Sequence, residues 1–191
     1  MSKAVMISIR PKWCEKICNG EKTIEVRKTH PKLETPFKVY IYCTAEMVGY
    51  DELWVLDTPS REKYLITAVC AYLQRAEGAS KGNRKVIGEF ICDRIYELAP
   101  LNHAPDDVEQ QACLTREEIV RYLKGVGYGW HISDLKIYDT PKELSEFQRA
   151  TDPCNSCHAE YTWECTGCKN LSGDIKRAPQ SWCYVEAMDN G

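Results

Sequence analysis

The sequence has no apolar run approaching a membrane span, for which a helix needs about 20 consecutive apolar residues. Its first residues, MSKAVMISIRPK, hold an apolar stretch of only about five residues between Ala4 and Ile9, short of the ~7 that a signal-peptide core requires. A cytoplasmic protein that neither enters nor crosses a membrane is therefore expected. There is no low-complexity tract and no internal repeat, so a solenoid is excluded. Nor is there a regular alternation of strands and helices, which argues against a doubly wound parallel sheet. A large excess of one charge is also missing. The net charge is −3, which speaks against a strongly basic clamp for long nucleic acid.

What is present suits an ordinary globular chain. With 191 residues, of which 43% are hydrophobic, the chain can bury a sizeable core without disulfides. Eleven cysteines form an odd count with no export signal, which points to reduced thiols. Cys14, Cys18, Cys43, Cys70, Cys92 and Cys183 sit among apolar neighbours, as buried thiols do. Charge is unevenly spread: residues 1–40 hold nine Lys and Arg against four Asp and Glu, a local +5. A basic patch on an acidic chain fits a short or single-nucleotide ligand better than a duplex. Charge alone leaves a solvated basic face as an equal alternative.

AVMISI reads as a first strand. Pro11 suits the opening turn of a helix with an apolar stripe of Trp13, Cys14, Ile17 and Cys18, and Gly20 is its stop. TIEVRK alternates as a strand, with Ile24 and Val26 on one face and Thr23, Glu25 and Arg27 on the other. PFKVYIYCTA, EKYLITAVCAYL and KVIGEFICDRIYEL are further strands, rich in β-branched and aromatic residues. Thr115 and Glu118 form a capping box for a helix that Gly125 ends. GYGWHISDLKIYD reads as a loop entering a strand, and SWCYVEAM as the last strand, expected to pair with residues 4–9. The expected class is α+β and mainly β.

The segment MISIRPKWCEKICNGEKTIEVRK, a strand, a short helix, then Gly-x-Lys-Thr and a strand with Glu and Arg, resembles the signature of the ASCH domain. KVIGEF, GYGWHISDLKIYD and SWCYVEAM are similar to later parts of that family, and the likeness covers roughly residues 4–150 and 181–188. The resemblance implies a PUA-like β-barrel with peripheral helices and a charged cleft that contacts RNA or a nucleotide. On this reading residues 1–191 form one domain, with 150–180 as an insertion before the last strand. Arg10, Lys22, Glu25 and Arg27 would line the cleft, Arg as a planar fork and Lys as a point charge. The alternative is a plain ion pair on a solvated strand. Trp130 is a candidate stacking wall, with Gly127 and Gly129 letting the backbone approach a ligand. A core position for Trp130 is the equal alternative. Tyr128 and His131 are weaker candidates.

CNSCHAEYTWECTGC sets Cys154, Cys157, Cys165 and Cys168 as two Cys-x2-Cys pairs with a seven-residue spacer. Each pair presents two thiolates from one turn, and two turns complete a tetrahedral S4 site, so a structural zinc knuckle is expected. CNSCH also matches a haem-attachment pattern, but that chemistry requires export.

Three function classes follow. The first is a binding module for RNA or a nucleotide-like small molecule. The second is a hydrolase, because some small proteins of the resembled family are amidohydrolases acting on acylated cytidine through a Lys, a Thr and a distant Glu. Lys22 matches that Lys, while Glu25 stands at the Thr position and would be a general base for bound water. A ribonuclease belongs to the same class. The third is a protein-interaction adaptor using the knuckle and an unspecified protein partner.

Overall fold

The computed structural model of the protein describes residues 2–44, 84–98, 104–150, 173 and 175–188. Its elements run β1 (Lys3–Ile9), α1 (Pro11–Cys18), β2 (Ile24–Arg27), β3 (Phe37–Cys43), β4 (Val86–Cys92) and β5 (Ile95–Glu97). There follow α2 (Val108–Ala112), α3 (Arg116–Leu123), β6 (Tyr128–His131), β7 (Ser133–Lys142) and β8 (Trp182–Glu186). The expected strand EKYLITAVCAYL and the knuckle cysteines lie outside the described residues.

The strands make two sheets, ordered β7-β4-β3-β1-β8 and β2-β6-β5. Among the described residues neither sheet closes on itself, so the mainly-β expectation holds while a closed barrel is not what these strands form. β1 pairs in parallel with β3 and antiparallel with β8, whose Trp182 faces Ile7. The final strand thus joins the same sheet as residues 3–9, as the sequence predicts.

Residues Ala4 to Ile9 of β1 are all buried, which explains their nearly unbroken apolar run. Val5, Ile7 and Ile9 face a core shared with Val39, Ile41, Phe90 and Trp130. Ala4 and Met6 face a second core with Tyr40, Phe147 and Val185. A third core lies under β2, where Ile24 and Val26 pack against Leu98, Val108, Ile119 and Leu123. Fully burying one such aliphatic side chain contributes about 1.5–3 kcal/mol.

Local signals set the helix ends. Pro11 opens α1, and Gly20, at φ +73°, turns the chain after it, a conformation that costs glycine little. In α3, Glu118 N–H donates to Thr115 Oγ1 at 3.2 Å, and Thr115 N–H donates to Glu118 Oε2 at 2.8 Å.

Two expectations need correction. KVIGEFICDRIYEL is not one strand: it breaks at the exposed pair Asp93–Arg94, where the chain leaves one sheet for the other. GYGWHISDLKIYD is not a loop with a strand but two strands, β6 and β7. Its glycines read as loop residues, yet they serve packing. A Cβ on Gly127 would collide with the Leu123 side chain, and one on Gly129 would lie 2.9 Å from Ile24 Cγ2.

Candidate functional site

β2 is four residues long and, among the described residues, lies at the edge of its sheet with β6 on one side only. Ile132 N–H donates to Thr23 C=O at 2.9 Å, and Glu25 lies opposite Trp130 and Arg27 opposite Tyr128. In an antiparallel ladder, alternate residues exchange hydrogen bonds with the partner. Glu25 and Arg27 therefore turn their main-chain groups to β6, and Thr23 its carbonyl alone, since its N–H donates to the Gln111 carbonyl at 2.9 Å; Ile24 and Val26 turn theirs away from β6.

A cleft of about 580 Å³ wraps this edge. On one side stand Ser8, Arg10 and Trp13, from the end of β1 and the start of α1; on the other stand Leu114, Glu118 and Tyr122, on and just before α3. Lys22, Glu25, Val26 and Arg27 lie between them.

The charged groups form one connected cluster. Lys22 Nζ donates to the Ala112 carbonyl at 2.7 Å and stands 3.4 Å from Glu25 Oε2. Arg27 Nη2 stands 3.0 Å from Glu25 Oε1 and donates to the Ser8 carbonyl at 2.6 Å. Ser8 is held in turn by its hydroxyl, which donates to the Pro179 carbonyl at 2.6 Å. All three charged residues are buried, at 3%, 6% and 8% exposure for Lys22, Glu25 and Arg27. Two cations thus share one carboxylate, leaving an excess positive charge largely removed from water, which is costly unless compensated. Arg27 Nε is also buried and has no hydrogen-bond partner among the described residues. Arg10 is exposed at the rim.

The sequence-derived set divides here. Arg10, Lys22, Glu25 and Arg27 all line the cleft, the last three as a buried cluster rather than a solvated face and Arg10 exposed at the rim. Trp130 does not reach it. Its ring has no exposure, and it packs against Phe37 at 6.1 Å and Trp182 at 6.0 Å between centroids. A ring with no free face cannot stack a base, so the expected wall is corrected to a core residue. His131 is held elsewhere, its Nδ1 2.6 Å from Asp93 Oδ1. Burial pushes the Asp93 carboxyl up, but the His131 hydrogen bond and charge outweigh it and hold it below its ordinary range. Tyr128 packs edge-on to His30 at 4.3 Å. Thr23 does not share the cleft with Glu25, because β2 begins one residue later and the Thr23 hydroxyl donates to Gln111 Oε1 at 3.2 Å.

The rings that do line the cleft are Trp13 and Tyr122. Lys22 Nζ lies 5.2 Å from the Trp13 ring centre, and Lys28 Nζ lies 5.4 Å from that of Tyr122. Periodicity concealed Trp13 within the apolar stripe of α1. Tyr122 left a trace, as a large ring on the outer face of an amphipathic helix, where it is 43% exposed.

Among the described residues no group of three or more His, Cys, Asp or Glu side chains could hold a metal, and no helix is long and apolar enough to cross a membrane. The described thiols behave as the sequence implies. Cys14, Cys43 and Cys92 are buried and Cys18 and Cys183 half-buried, and none of them is in a disulfide. Burial pushes Cys92 up to about 12 and Cys14 well above the usual thiol range.

No protein-family model and no curated protein matches the chain. Solved structures do. The crystal structure of ASCH from Zymomonas mobilis matches with a TM-score of 0.52 and 16% identity over 96% of this chain and 87% of that one. A mutant form of the same protein matches with a TM-score of 0.52 and 15% identity over 97% of this chain and 91% of that one. At such identity the likeness is one of fold: the chain carries the ASCH-type architecture.

Proposed function

We propose that this chain, with its ASCH-type fold, binds RNA or a nucleotide-like small molecule in the cleft around β2. The observation that carries this reading is buried Arg27, whose Nε has no partner among the described residues and which shares one carboxylate with Lys22. A ligand with phosphate or carbonyl oxygens would supply both the missing acceptor and the compensating charge. Trp13 and Tyr122 offer ring faces of the kind that take a base. Both oxygens of Glu25 are engaged by Lys22 and Arg27, which favours a role in positioning the cations over one in taking a proton from water. Binding is therefore preferred to hydrolysis.

The test is mass spectrometry of small molecules and RNA retained by natively purified protein, followed by titration of nucleotides and short single-stranded RNAs. Retained nucleotide or RNA supports the reading. A protein that retains none and binds none in titration overturns it. Turnover by wild type that Glu25→Gln abolishes, with binding kept, would instead favour the hydrolase.

From the Cys-x2-Cys pairs we further propose that Cys154, Cys157, Cys165 and Cys168 hold a structural zinc. Residues 150–180 are then an insertion in a single domain, supported by the return of β8 to the sheet of β1. The described thiols, none of them in a disulfide, fit a reducing cytoplasm.

A further inference from the structure

We infer that the cleft recognises a nucleobase through the main chain of β2, by the N–H and C=O of Val26. The inference rests on the nucleotide-binding reading above and names how that site tells one ligand from another.

Val26 lines the cleft although the whole residue is only 4% exposed and its side chain belongs to the core beneath the helices. What it presents is backbone. The ladder phase fixes this independently of the cleft. The Ile132-to-Thr23 bond joins residues directly opposite, so hydrogen-bonded pairs recur at Glu25–Trp130 and Arg27–Tyr128. On the far side of β6 the phase agrees: His131 N–H donates to the Arg94 carbonyl and Leu98 N–H to the Gly127 carbonyl, both at or near 2.9 Å. Val26 thus points its donor and acceptor away from β6, and among the described residues neither has a partner. The cleft is lined from α1 and from α3, with Glu25, Val26 and Arg27 supplied by β2.

An open strand edge can add a peptide strand or pair with a planar group. Length decides between them. Peptide addition uses outward groups on alternate residues, yet Ile24, the other outward residue of β2, does not line the cleft. A single donor–acceptor pair matches one base edge, where a donor and an acceptor stand side by side. The buried Arg27 Nε beside Val26 supplies a further donor, and Trp13 and Tyr122 supply ring faces.

The adenosine, cytidine, guanosine and uridine 5′-monophosphates are titrated against wild type, Val26→Pro and Val26→Ala. Proline removes the outward N–H, a substitution edge strands accept, and Glu25 before it is already extended; like alanine, it also replaces the Val26 side chain in the third core. Val26→Pro should weaken the tightest nucleotide about tenfold and compress the spread among the four. Val26→Ala, which keeps the N–H but shortens the same core side chain, measures the packing cost and should weaken binding less than Val26→Pro. A readout on wild type avoids any folding defect: the saturating nucleotide should slow hydrogen exchange at the Val26 amide and leave Ile24 unchanged. Binding that Lys22→Ala removes, but that neither protects the Val26 amide nor responds to Val26→Pro, overturns the inference and leaves the binding reading intact. Failure of all four to bind wild type overturns both. Capture of a short extended peptide with protection of both Ile24 and Val26 would assign the edge to strand addition and overturn the inference.

Discussion

Arg27 places its Nη2 3.0 Å from Glu25 Oε1, an ion pair whose side chains are only 10% and 8% exposed. Lys22 approaches the other oxygen of the same carboxylate. Removing the carboxylate would leave two cations buried together, and breaking a buried pair in this way costs about 3–5 kcal/mol. Glu25→Ala should therefore lower stability by an amount of that order in urea unfolding, and Glu25→Gln by less, since the amide oxygen still accepts a hydrogen bond. Equal stability of Glu25→Ala and wild type would show that the cluster is not buried as described.

Lys22→Ala and Arg27→Ala should each weaken nucleotide binding by about 1–3 kcal/mol, the range for hydrogen bonds to charged groups. Affinity of wild type should fall as salt rises, because phosphate contacts release counterions. Isothermal titration at two salt concentrations checks both. Unchanged affinity in both variants removes the cleft from consideration.

Aromatic substitutions separate the site from the core. Trp13→Ala and Tyr122→Ala should weaken binding by about 1–3 kcal/mol per stacked base. Tyr122→Ala, on an exposed helix face, should leave the melting temperature nearly unchanged. Trp130→Ala should instead cost about 3–5 kcal/mol of stability. Normal stability of Trp130→Ala together with lost binding would restore Trp130 as a wall of the site.

Gly88 in β4 tolerates no side chain. A Cβ there would lie 2.5 Å from the Lys136 carbonyl oxygen, a backbone atom of the neighbouring strand. Gly88→Ala should destabilise by about 1–3 kcal/mol, as overpacking does. A variant with wild-type unfolding would mean that β4 and β7 do not pair in this register.

Natively purified protein should contain one zinc per chain, and Cys154→Ser or Cys165→Ser should remove it. Chelation should expose four further thiols to alkylation near neutral pH. Cys92, pushed up to about 12 by burial, and buried Cys14 should stay unreactive throughout. Elemental analysis without zinc, together with four freely reactive thiols, would overturn the knuckle.

Sequence pattern alone determined much of this protein. The apolar runs of β1 and β3, the Pro11 opening and Gly20 stop of α1, and the Thr115–Glu118 box are local signals, written within a few residues of the structure they cause. The cluster of Lys22, Glu25 and Arg27 was legible for the same reason, since its members lie within six consecutive positions. Tertiary structure decided the rest. Trp130 and Trp13 look alike in sequence, yet one is sealed between two sheets and the other lines the cleft, because burial depends on what packs over a ring from distant segments. Thr23 and Glu25 would share a face in an ideal strand, but β2 starts between them and Gln111 takes the Thr23 hydroxyl. The β2 edge at Val26, unpaired among the described residues, has no sequence signature at all. Whether a strand has a neighbour on each side is a property of the whole sheet, fixed by where other strands pair.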